Sequence, residues 1–356
     1  MESSIIYING KYLTQRLTGV QRYAFELTNC LVKNEKNVRV LVPEFLDVSS
    51  IDLPSESIIK TGKSTNTTLW EQFDLPRFIG KTNNLLINFC NTGPIFNRNQ
   101  FVCIHDMSYL ENPKWFSKSF YYYYKFMIPK IARISNHIFT VSEFSKSELQ
   151  DKLGLKHDKV SVIYNAPAKT FVSSTYKKIN LKKEDFFLFV GSLDPRKNLK
   201  TLLAAFASST LKNQKLVIVG AKQNTLNDEN LILPANVELF DNCSDDQLKD
   251  LYSKAKGLIN CSLYEGFGLP VVEAMSSGCP LLLSDIPVFN EIAGEHAMFF
   301  NPNIATAIAE TIQSFLEKSE TEINLSIKAN YYYCAKYSWE KSSNDLLKIV
   351  RRESWV

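Results

Sequence analysis

SLYEGFGLPVVEAMSSGCPLLLS, residues 262–284, sets two carboxylates, Glu265 and Glu273, on either side of a turn-forming Gly-Phe-Gly-Leu-Pro segment. Apolar residues just upstream, 257–261, predict a short buried strand that runs through Leu263 and Tyr264 into a loop. Gly266 and Gly268 free that loop to take positive φ and let a ligand approach the backbone. Pro270 fits the first turn of a helix, where its missing N–H costs nothing. That helix carries Val271, Val272, Ala274 and Met275, ends near Gly278, and is followed by a second buried strand over 280–284. Strand, glycine loop, helix, strand is a βαβ unit whose loop presents peptide N–H groups and a helix N-terminus to an anion. Glu265 and Glu273 stand as acceptors at either end of the loop and first helical turns. Carboxylates so close to an anion site are best explained by hydroxyls, so the expected ligand is a phosphate attached to a sugar.

Taken singly, these features have plainer readings: a Glu at a helix start is a favourable dipole partner, and Gly-Phe-Gly is a turn. Together they form a long string, E-G-F-G-L-P-x-x-E-A-M, with several residue types fixed. The string resembles the retaining family-4 glycosyltransferases and matches their E-x7-E motif in full. The resemblance implies an α/β chain of the GT-B fold, two Rossmann-like doubly wound parallel-sheet domains facing a central cleft. It also implies that Glu265 lies close to the donor sugar, that Glu273 binds the ribose hydroxyls of the nucleotide, and that Gly266, Phe267, Gly268 and Leu269 contribute backbone contacts to the donor.

The rest of the chain suits this reading. At 356 residues it is too long for one ordinary core and fits two domains. Hydrophobic residues at 45% and charged residues at 22% describe a globular protein. No apolar run approaches the roughly 18 residues that span a bilayer, and MESSIIYING has no basic segment followed by an apolar one, so a cytoplasmic location is expected. The seven cysteines are scattered without a C-x-x-C pair, which suggests free thiols and neither a disulfide framework nor a zinc site.

In chain order, a strand at 5–8 precedes a helix opened by T-G-V-Q-R-Y, whose apolar face is Val20, Tyr23, Ala24, Leu27 and Leu31. Gly19 is thereby placed at a helix N-terminus facing the strand ends, a second candidate anion site. G-V-Q-R-Y, with Arg22, resembles a form found in enzymes of bacterial surface-polysaccharide assembly. Strands follow at 38–42, 85–89 and 101–104, the last running into His105 and Asp106, at the carboxyl ends where open parallel sheets bind ligands. From position alone His105 is as well explained as a packed or capping residue. The resemblance assigns it to donor-sugar contact, with Asp106 fixing the imidazole or capping the turn. The second half begins with a buried strand at 186–191 and turns through S-L-D-P to deliver Arg196 and Lys197 to a helix start. Adjacent cations there oppose the helix dipole, and a bound anion would offset that. The family supplies its diphosphate-binding cations from this segment after Gly191, although Ser192 stands where an Arg is usual. The loop 241–243, with Cys243, is where the family holds the nucleobase.

Domain limits are expected at 1–168 for the acceptor side and 169–335 for the nucleotide side, with a final helix, 336–356, returning to the first domain. Residues 1–168 hold 20 Lys and Arg against 15 Asp and Glu, the remainder 21 against 22, so the first domain is the basic one. Within it, KWFSKSFYYYYKFMIPKIAR, 114–133, interleaves aromatics with cations, as a helix in an anionic membrane interface or a helix packed between others does. The basic residues form no continuous stripe for nucleic acid. The resemblance implies a hexose transferase with retention, without metal or other cofactor, using a nucleotide sugar and a lipid-linked oligosaccharide in bacterial O-antigen or other surface-polysaccharide assembly. Mannose from GDP-mannose is the expected donor, with dTDP-rhamnose, GDP-fucose and UDP-hexoses as alternatives. A nucleotide-sugar epimerase of the same fold and a non-catalytic sugar-binding protein are the rival classes.

Overall fold

The computed structural model describes residues 5–80, 84–220, 233–241 and 243–353. The chain divides into two compact units, and it crosses between them more than once. The first unit holds the residues through Met107, then Tyr122–Asn165, and the chain from Trp339; the second holds Ser108–Tyr121 and Ala166–Ser338.

The first unit is built on a parallel sheet of β1 (Ile6–Asn9), β2 (Val38–Val42), β3 (Ile58–Lys60), β4 (Leu85–Asn88), β5 (Gln100–Cys103), β6 (His137–Thr140) and β7 (Val160–Val162). Their order is β3-β2-β1-β4-β5-β6-β7. β4 and β5 are buried throughout, as parallel strands covered on both faces must be, and their sequences accordingly show no polar alternation. The helix Gly19–Asn34 buries Tyr23, Ala24, Leu27 and Leu31, one stripe of an amphipathic surface. The last helix, Trp339–Glu353, packs against it: the Trp339 and Tyr23 rings meet edge to face at 5.9 Å, and Arg351 pairs with Glu35. β3 was not foreseen, because Ile58, Ile59 and Lys60 form a three-residue edge strand, too short for a period to show. A buried polar knot closes the carboxyl ends of β1 and β4. Glu71, on a π-helical turn Trp70–Asp74, accepts from Asn9 at 3.0 Å, Lys11 at 2.9 Å and Thr92 at 3.1 Å. The basic aromatic stretch 114–133 is shared between the two units; in the first unit Tyr122 and Phe126 are exposed, with the Lys130 ammonium 3.6 Å from the Phe126 ring centroid.

The second unit repeats the plan with β8 (Phe187–Val190), β9 (Leu216–Val219), β10 (Val237–Phe240), β11 (Leu258–Asn260), β12 (Leu281–Ser284) and β13 (Met298–Phe300), in the order β10-β9-β8-β11-β12-β13, all parallel. One core of Phe187, Phe189, Leu202, Phe206, Ile218 and Ile312 holds sheet and helices together. The half-buried Lys183 reaches across this unit to donate to the carbonyls of Asn180, Ser253 and Gly278. In both sheets the strand order reverses beside the first strand of the unit, between β1 and β4 and between β8 and β11. Ligands of open α/β sheets bind at the carboxyl ends beside such a reversal.

Candidate active site

In the second unit the segments leaving β8 and β11 flank the reversal. Gly191 follows β8, and a Cβ at Gly220 would stand 1.8 Å from the Gly191 carbonyl oxygen, so only glycine lets the end of β9 pass so close. The chain then turns at Asp194, whose carboxylate accepts from the Arg196 N–H at 3.0 Å and caps a short 3-10 turn, Pro195–Lys197. The sequence placed Arg196 and Lys197 at the start of an α-helix; that helix, Leu199–Phe206, begins two residues later, after Asn198 has taken a left-handed conformation at φ 55°. Asn198 holds this strained geometry by donating to the Pro302 carbonyl at 2.7 Å and accepting from Thr201 at 2.7 Å.

The turn aims both cations at Glu265. Arg196 Nη1 donates to Glu265 Oε2 and to the Tyr264 carbonyl, each at 3.1 Å, and Lys197 Nζ pairs with Oε1. Ser262 Oγ lies 2.8 Å from the same Oε1 and 2.7 Å from Asn260 Oδ1; with one proton to give, it serves one acceptor at a time. Glu265 is buried, and burial alone would raise its pKa. Lys197 and Arg196, with hydrogen bonds from Lys197 and Ser262, outweigh that and hold it near 2, so it is a carboxylate at any working pH. The sequence left the adjacent cations awaiting an anion, and the structure supplies one from the chain itself. Asp194 Oδ1 lies 3.8 Å from Arg196 Nε, so Arg196, Lys197, Glu265 and Asp194 form one cluster whose formal charges balance.

The glycine loop continues as expected. Gly268 sits at φ 94°, where a Cβ would lie 2.7 Å from Phe289 Cε1, and Leu269 and Pro270 open the helix Leu269–Ser276. Gly266 is buried, and Phe267 packs edge-on against Tyr337 at 5.6 Å. Glu273, buried on that helix, accepts from the Tyr252 hydroxyl at 3.1 Å. Asp241 and Cys243 precede Ser244, which caps the helix Asp245–Lys254 that carries Tyr252; Asn242 lies outside the described residues.

In the first unit, His105 follows β5 and is buried. Its Nε2 lies 2.8 Å from the Phe89 carbonyl, which can only accept, so Nε2 carries the proton and Nδ1 is the bare nitrogen. Burial lowers its pKa against the opposing effects of the Phe89 carbonyl and Asp106, which keeps the ring neutral. The Tyr23 ring stands edge-on to the imidazole at 4.9 Å, one helical turn past Gly19, so the start of that helix and His105 are neighbours, with Arg22 on the same turn. Asn91, at φ 62°, accepts the His105 N–H at 2.8 Å. The sequence reading missed Asn91, Ser262 and Tyr252. An N-T-G turn after a strand and the S-x-x-E spacing were the available signals for the first two; nothing marked Tyr252.

Residues 17–166 match the family model described as Glycosyltransferase Family 4, and residues 173–331 match that of Glycosyl transferases group 1. The chain belongs to the glycosyltransferases. It is 32% identical over 211 residues to the O-antigen chain mannosyltransferase RfbU of Salmonella typhimurium, covering 58% of each chain. It is 28% identical over 163 residues to the GDP-mannose:cellobiosyl-diphosphopolyprenol alpha-mannosyltransferase of Xanthomonas oryzae, covering 43% of each. The chain thus spans less than two thirds of the length of either relative. Among solved structures it resembles the sucrose-phosphate synthase of Thermosynechococcus elongatus, with a TM-score of 0.73 at 17% identity over 98% of both chains. This glycosyltransferase has the GT-B fold, with two Rossmann-like parallel-sheet domains. No helix of its described residues is long and apolar enough to cross a membrane.

Proposed function

We propose that this glycosyltransferase moves mannose, with retention, from GDP-mannose to a lipid-linked oligosaccharide in O-antigen or related surface-polysaccharide assembly, at the cytoplasmic face of the membrane and without a metal. The observation that carries the reading is the Arg196–Lys197–Glu265 cluster at the strand-order reversal of the second sheet. The two relatives support mannose by what their names say they transfer. Diphosphate charge grows as the sugar leaves, and preorganised cations in a buried site stabilise it in place of Mg²⁺. Because Glu265 already neutralises one of those cations, donor binding draws Arg196 and Lys197 away from it in part. Glu265 is thereby released toward the sugar hydroxyls. Glu273 binds the ribose; Gly191, Cys243, Gly266, Phe267, Gly268 and Leu269 complete the second unit's share of donor binding. In the first unit, Gly19 is assigned to donor binding, His105 to catalysis, and Arg22 and Asp106 to the acceptor side. The sequence marks no well-placed nucleophile, and on this reading attack is front-face without a covalent adduct.

Incubation with radiolabelled GDP-mannose, UDP-hexoses and dTDP-rhamnose, with and without a polyprenyl-diphosphate oligosaccharide, tests this directly. Label should pass from GDP-mannose to the lipid fraction and only when acceptor is present. Transfer from UDP- or dTDP-sugars alone would overturn the donor, and a free epimer without transfer would overturn the reaction class.

A further inference from the structure

The helix Asp245–Lys254 is attached to the rest of its unit in an unusual way: of its residues only Tyr252 is buried. Its N-terminus is closed by a reciprocal capping box between Ser244 and Gln247, immediately after the 241–243 loop. That buried side chain is a phenol ring packed edge-on to Phe171 at 5.9 Å, with the hydroxyl on Glu273 Oε2 at 3.1 Å. The phenol stays protonated, since burial and the carboxylate both push its pKa up, so it is the donor and Glu273 the acceptor. A hydrogen bond to one carboxylate oxygen fixes rotation about the last side-chain bond, a torsion that is otherwise broad and soft. It therefore determines where the second oxygen is presented.

We propose that Tyr252 is a positioning residue for this glycosyltransferase: its hydroxyl orients the Glu273 carboxylate toward the nucleotide ribose and ties that carboxylate to the helix Asp245–Lys254. The proposal rests on the reading of Glu273 as the ribose-binding group. It explains why the one fully buried side chain of this helix carries a hydroxyl that meets an acidic residue of the glycine-loop helix. A ring used for packing alone would have no use for a hydroxyl there, and a buried hydroxyl without a partner is costly.

The test compares binding of GDP and UDP with their 2′,3′-dideoxy counterparts by calorimetry, in the parent protein, Tyr252→Phe and Glu273→Gln. Y252F keeps the ring that packs on Phe171, and its melting transition is recorded alongside. The parent should prefer the ribonucleotide by about tenfold or more, the effect of a hydrogen bond to a charged group. In Y252F that preference should fall to about twofold or less, while affinity for the dideoxynucleotide stays within about twofold of the parent. A purely structural role would instead weaken both nucleotides alike. If E273Q loses the ribose preference and Y252F keeps it, the positioning role is overturned and the ribose reading stands. If E273Q itself keeps the preference, the ribose reading fails and the positioning role falls with it.

Discussion

Glu265 shows at the residue scale what a buried carboxylate can do when the chain brings its own cations to it. Its pKa in the folded protein, about 2, lies below the ordinary 4.5, so its ion pairs stabilise the fold fully above pH 4.5 and are lost as pH falls through 2. Urea unfolding between pH 2 and 5 should therefore show stability rising with pH in the parent, by a few kcal/mol at most, and little of that rise in Glu265→Gln. The same variant takes the Glu265 carboxylate from Arg196 and Lys197, leaving Asp194 beside Arg196. It should bind inorganic pyrophosphate more tightly than the parent and transfer sugar at least about a hundredfold more slowly; weaker pyrophosphate binding would show that the pair is not an anion site. Glu273→Ala should lower kcat/KM for the donor by the equivalent of about 1.5–3 kcal/mol. His105 behaves differently, since burial keeps it neutral. Its imidazole ¹⁵N shifts should report the Nε2–H tautomer at pH 6.5, and protonation should appear only below the ordinary histidine range.

Backbone conformations that side chains resist mark the elements that aim the site. Asn91 at φ 62° carries both a left-handed turn and the acceptor for the His105 N–H. Asn91→Gly keeps the turn and loses the acceptor, whereas Asn91→Ala loses both, so thermal unfolding should rank parent above Gly and Gly above Ala, with steps of about 1 kcal/mol. The elements were legible wherever a period or a punctuating residue marked them. The apolar face of Gly19–Asn34, the buried runs of β4, β8 and β12, and the glycines and proline around 266–270 all stand in the chain as local signals. What escaped was tertiary. Arg196 and Lys197 find their partner in a carboxylate 69 and 68 residues away, and Tyr252 reads as an ordinary core aromatic until its hydroxyl is seen to meet Glu273. No spacing within a window of helical or strand length encodes such a pairing.

At the scale of the whole molecule, the fold class came from the resemblance carried by the string that starts at Glu265, and the two rounds of buried strands and helices agree with it. Among the described residues no group of three or more His, Cys, Asp or Glu side chains is arranged to hold a metal ion. On the reading that Arg196 and Lys197 take the place of Mg²⁺, transfer should persist in excess EDTA; loss on chelation with recovery on Mg²⁺ or Mn²⁺ would require the cation cluster to be reassigned. The route of the chain has another consequence. Trp339 braces Tyr23, and Tyr23 stands against His105, yet the stretch that carries Trp339 is made on the ribosome only after the whole of the second unit. Domains commonly fold in the order in which they are synthesised. Here most of the first unit emerges early and waits for the helix Trp339–Glu353, so the histidine at the end of β5 gains this support only after the second unit has been made.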